Sequence, residues 1–102
     1  MTKDPQITAT VKEILDLIKN ISPGKSVELR VPPYGVIQCV AGGNHRRGTP
    51  PNTVEMNAES LIKLILDPTL WKALCEKGEI SASGVASDLS VLFTQASTKF
   101  SP

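Results

Sequence analysis

The hydrophobic period of this chain changes twice along its length, and that alternation constrains the fold more than any single residue. Ile7, Val11, Ile14, Leu15 and Ile18 recur at helical spacing, with Lys12, Glu13, Asp16 and Lys19 on the other face. From Val27 the period falls to two: Val27, Leu29 and Val31 alternate with Glu28 and Arg30, as in a half-buried strand. After Asn57 the helical period returns through Leu61, Ile62, Leu64 and Ile65. A chain that passes from helix to strand and back must bury a sheet face under helices, which makes it α+β.

Local signals set the boundaries. Asp4-Pro5 and Asp67-Pro68 each pair a capping side chain with a proline at the first helical position, and Asn57 is a third cap. The spacing predicts a helix over 5–20, stopped by Ser22-Pro23-Gly24, then strands at 27–31 and 36–41 joined by the turn Pro32-Pro33-Tyr34-Gly35. Residues 43–52 lack any aliphatic side chain and form a loop. A short strand over 53–56, a helix from 57, and a helix from 68 with Leu70, Trp71 and Leu74 inward follow, the latter ending near Gly78. A strand over 79–83 and a final helix after Gly84, bearing Val85, Leu89, Leu92 and Phe93, complete the order α-β-β-β-α-α-β-α. Residues 1–4 and 96–102 are expected to fray.

With 102 residues, one core is all the chain can build, so residues 1–102 are expected to form a single domain. Apolar residues at 40% and charged residues at 21% are far from the signature of disorder. A net charge of +1 gives no overall field that would draw the chain to nucleic acid, and the apolar runs are too short to insert in a membrane. Without a signal-peptide core behind Met1, the expected compartment is the cytoplasm. Cys39 and Cys75 show no CxxC spacing and accompany a single histidine, so neither a metal nor a cofactor is expected, and both are read as buried free thiols.

Three stretches resemble a known family. Arg30-Val31-Pro32-Pro33-Tyr34, Val36-Ile37-Gln38-Cys39-Val40, and His45-Arg46-Arg47-Gly48-Thr49-Pro50-Pro51-Asn52 with Val54-Glu55 are similar to a bacterial branch of the sterol carrier proteins. Leu61 to Leu66, Trp71, Gly78 and Ala82-Ser83-Gly84 before Asp88-Leu89-Ser90 agree with that family's closing elements. The resemblance covers about residues 25 to 94. It implies a small mixed or antiparallel sheet covered by helices on one face, with an apolar pocket between them for acyl chains, sterol-like molecules or isoprenoids. It implies no reaction. The C-terminal helix that helps close such a pocket would map to Val85–Phe93, which puts Leu89 and Phe93 in the candidate lining.

The residues that could carry recognition are few. Arg30, His45, Arg46 and Arg47 concentrate positive charge, and Glu55 lies just beyond in the next strand. Guanidinium groups suit carboxylate or phosphate oxygens, so one reading holds a ligand's anionic head here, with Thr49 and Asn52 in the same segment. The other reading pairs Arg30 or Arg47 with Glu55 and leaves Thr49-Pro50-Pro51-Asn52 to order the loop. Trp71 belongs to the core or to the pocket wall. His45 is the one easy general base, but catalysis through it would need Cys39 or a hydroxyl in reach, and the chain is expected not to be an enzyme. The function expected is binding of a small apolar, lipid-like ligand. The alternative is an interaction domain with a filled pocket, acting as a homodimer or with a protein partner, and a His45 enzyme is a distant third.

Overall fold

The computed structural model describes residues 4–42 and 50–100. Helix α1 spans Pro5–Ile21, and the Asp4 carboxylate caps it by accepting the backbone N–H groups of Gln6 and Ile7 at 2.8 and 3.3 Å. Strands β1 (Val27–Val31) and β2 (Gly35–Cys39) follow, joined by a tight turn in which the Tyr34 N–H donates to the Val31 carbonyl at 2.8 Å. Strand β3 covers Asn52–Met56, and helix α2 covers Ala58–Leu66, with the Asn57 side chain accepting the Ser60 N–H at 2.8 Å. Asp67-Pro68 opens a 3₁₀ turn, Pro68–Leu70, that leads into helix α3, Trp71–Glu76. Strand β4 is Ile80–Ser83 and helix α4 is Ser90–Lys99. Among the described residues no helix is long and apolar enough to cross a membrane.

The four strands form one mixed sheet in the order β2-β1-β3-β4. β1 pairs antiparallel with β2, placing Leu29 opposite Ile37, and parallel with β3, placing Leu29 opposite Val54. β3 pairs antiparallel with β4. Because side chains alternate across a strand, these registers send Val27, Leu29, Val31, Val54, Met56 and Cys39 to one face, where all are buried. Glu28, Arg30, Val36, Thr53 and Glu55 fall on the other face, which carries no buried apolar layer. The helices cover only the first face, as the sequence resemblance implies.

Beneath them lies one contiguous core that includes Val11, Ile14 and Ile18 of α1, Leu61 and Leu64 of α2, Trp71 of α3, and Phe93 and Ala96 of α4. Val11, Ile18, Leu29, Val54, Leu61, Leu64 and Phe93 are each 0% exposed. No water-sized void touches those side chains, since any such void would leave them accessible surface. The space between sheet and helices is packed there rather than hollow, which corrects the expectation of a pocket lined by Leu89 and Phe93: Leu89 is 2% exposed and Phe93 lies fully inside.

β2 ends at Cys39 rather than 41, and the boundaries of the final helix differ most from the sequence expectation. The final helix begins at Ser90, not after Gly84, and Val85 stands fully exposed in the intervening turn. The turn is held by specific bonds. The Ala86 N–H donates to the Asn52 Oδ1 at 2.9 Å, the Ser87 hydroxyl donates to the Gly84 carbonyl at 2.8 Å, and the Asp88 Oδ1 accepts the Ser90 N–H at 2.9 Å. Gly84 is required here, because φ is +109° and an added Cβ would lie 2.2 Å from the Asn52 Oδ1. The expected fray from residue 96 is also overturned: α4 runs through Lys99, Ala96 is fully buried, and Phe100 packs against the core.

Asn52 links three parts of this frame. Its Nδ2 donates to the Ser26 carbonyl at 2.8 Å and reaches the Ser26 Oγ at 3.2 Å, while its Oδ1 takes the Ala86 N–H. Asn52→Ala is expected to lower the unfolding free energy by roughly 1–3 kcal/mol for each buried group left unpaired. Arg30→Ala, at a solvent-exposed ion pair, should cost about 0–1 kcal/mol. Urea unfolding of the two variants beside the wild-type chain checks both.

Candidate functional site

An open cleft of about 520 Å³ lies between the segment Pro68–Glu76 and the start of α4. Trp71 and Cys75 sit four residues apart on α3 and share one helix face, so both reach the cleft. Val91 of α4 forms part of the opposite wall and is 69% exposed, an apolar side chain left outside the core. Behind Trp71 the Phe93 ring lies with its centroid 6.0 Å away at 30°, fixing the indole by aromatic packing. Lys72, Glu76 and Asp88 supply the charges around this apolar floor. The volume falls within the roughly 300–1,000 Å³ range of sites that take small organic molecules.

The electrostatics of the lining are set by carboxylates. Two main-chain and side-chain bonds from Ser90 hold the Asp88 carboxyl below the usual range, partly offset by desolvation. The Cys75 thiol, half-buried rather than fully buried as expected, is pushed up by burial first and then by the charges of Asp88 and Glu76. Cys39 is 0% exposed, and burial pushes its thiol up to about 11, so it is no nucleophile at neutral pH.

The residues singled out from sequence scatter. Arg30 and Glu55 do come together, with the Arg30 guanidinium also held by Glu28, and the Nη1 to Glu55 distance is 4.0 Å. They meet on the open sheet face, so this arginine is already neutralised by two carboxylates. Asn52 directs its polar atoms into the frame, and of the six that lie among the described residues Trp71 alone lines the cleft. His45, Arg46, Arg47 and Thr49 lie outside the described residues. Cys75, Val91, Glu76 and Asp88 escaped the sequence reading. The available signal was the repeat of Trp71 and Cys75 at helical spacing together with a valine off the buried stripe of α4.

Comparison with known proteins follows the fold. A family model described as "Bacterial SCP ortholog" matches residues 3–94, and the chain belongs to that family, the bacterial relatives of sterol carrier proteins. Among solved structures it is similar to a UbiJ-SCP2 ubiquinone synthesis protein, with a TM-score of 0.52 and 23% identity, covering 100% of this chain and 98% of that one. That likeness is one of fold. No curated protein matches the chain.

Two predictions test the site's chemistry. In native protein at neutral pH, iodoacetamide should label Cys75 slowly and leave Cys39 unmodified, and peptide mass spectrometry reads both. Asp88 has a folded pKa below its unfolded one, so its contribution is present above the unfolded value of 3.8 and is lost as pH falls through the folded value. The stability gap between wild type and Asp88→Asn should therefore narrow as pH falls below about 4 in acid unfolding curves.

Proposed function

We propose that this chain binds a small apolar, lipid-like molecule without transforming it, and that the apolar part of the ligand lies in the cleft between α3 and α4. The observation that carries this reading is an open cleft lined by Trp71, Cys75 and Val91 beside a packed core of described residues. Membership of the sterol-carrier relatives supports the ligand class. Burial of an alkyl chain against these side chains would contribute about 25 cal/mol per Å² removed from water, the usual driving force for such ligands. The buried, high-pKa thiol of Cys39 speaks against nucleophilic chemistry. The sequence-based expectation of an anionic head rests on Arg30, His45, Arg46 and Arg47, of which Arg30 is paired with Glu28 and Glu55 and the others lie outside the described residues, and it does not enter this reading.

A second reading has its own observation. The packed space beneath the sheet suits an interaction domain that carries nothing.

Trp71 is the chain's only tryptophan, so its emission reports on the cleft directly. Titration with a bromine-labelled long-chain alcohol is expected to quench that emission saturably, and the unlabelled alcohol should relieve it. Trp emission unmoved at saturating ligand would reject the carrier in favour of the interaction domain. Val91→Glu, a change at an exposed position, should weaken quenching while leaving the melting temperature nearly unchanged.

A further inference from the structure

We infer that the α3–α4 cleft selects against an anionic ligand and favours one whose polar end is cationic, or failing that uncharged, such as a long-chain amine or alcohol. The inference rests on the proposed binding reading and assigns the head group it left open. Among the described residues the charged groups facing the cleft are Lys72 and Glu76 from α3 and Asp88 from the turn before α4. Two carboxylates face one ammonium. Among the described residues neither Glu76 nor Asp88 forms an ion pair, and Lys72 lies four residues before Glu76, the less favourable order for a helical pair.

The first backbone N–H of α4 already has an anionic partner. Ser90 begins α4 and lines the cleft, and a helix N-terminus of this length offers backbone N–H groups and a positive dipole end to anions. Here the Asp88 Oδ1 accepts the Ser90 N–H at 2.9 Å, so the protein's own carboxylate occupies the place a ligand carboxylate or phosphate would seek. The same proximity pushes the Cys75 thiol up, through burial first and then the charges of Asp88 and Glu76. A ligand carboxylate entering beside Cys75 meets the same two charges. An alkylammonium meets them as partners.

The test uses the whole chain and three probes of equal tail length: decylamine, decanol and decanoate at neutral pH. Each competes with the bromine-labelled alcohol for quenching of Trp71. The amine should displace the label at about tenfold lower concentration than decanoate, with decanol between them, as expected for charges near the protein surface. Raising salt should shrink the amine-to-acid ratio. Glu76→Gln, at an exposed position, should reduce the ratio, and Glu76→Gln with Asp88→Asn should bring it close to one; asparagine keeps an oxygen for the Ser90 N–H. Decanoate binding as tightly as decylamine would overturn the inference and leave the carrier reading standing. So would a ratio that survives in the double variant with its melting temperature preserved. If none of the three displaces the label while decanol's labelled analogue still quenches, the cleft has no head-group selectivity and the inference fails. If the labelled alcohol itself does not quench, the carrier reading fails and takes the inference with it.

Discussion

The side-chain amide of Asn52 holds together the parts of the chain that local structure cannot join. β1 and β3 run parallel, so no hairpin ties them, and their pairing must be fixed at its first rung. Asn52 stands on that rung opposite Val27 and bonds the neighbouring Ser26, while its oxygen takes the Ala86 N–H from the turn that delivers α4. One buried side chain thus sets the register of the sheet's centre and the approach of the last helix. The close packing of Gly84 on Asn52 belongs to the same arrangement, since any side chain there would push the turn off its anchor.

That anchor explains why the cleft exists at all. Because the turn from Gly84 to Leu89 is spent on bonds to Asn52 and to itself, helical structure resumes only at Ser90. A helix beginning directly after Gly84 would have placed Val85 and Asp88 on a regular surface. Instead Asp88 is brought to the mouth of the space beside α3, and Val91 faces outward across from Trp71 and Cys75. The acidic rim and the apolar floor both follow from where α4 starts.

The fold was largely legible in the chain because its signals are local. Caps at Asp4, Asn57 and Asp67, and the switch between periods of 3.6 and 2, depend on neighbours within four residues. The start of α4 was missed because Val85 and Leu89 fit a helical stripe, while the bond that breaks it comes from Asn52, 34 residues away. The site was less legible for a related reason. Arginines and a histidine draw attention as chemical groups, yet the described arginine spends its charge on Glu28 and Glu55. The cleft is made from a valine and a cysteine that look like ordinary core residues until the helix crossing leaves them uncovered.

The packing of α4 against α1 closes the core with the chain's first and last helices. Phe93 and Ala96 of α4, both 0% exposed, share that core with Val11, Ile14 and Ile18 of α1, so the interior is sealed by contacts far apart in sequence. Contacts of that range contribute only after the entropy of closing a long loop has been met, and the cleft beside Trp71 depends on the same closure.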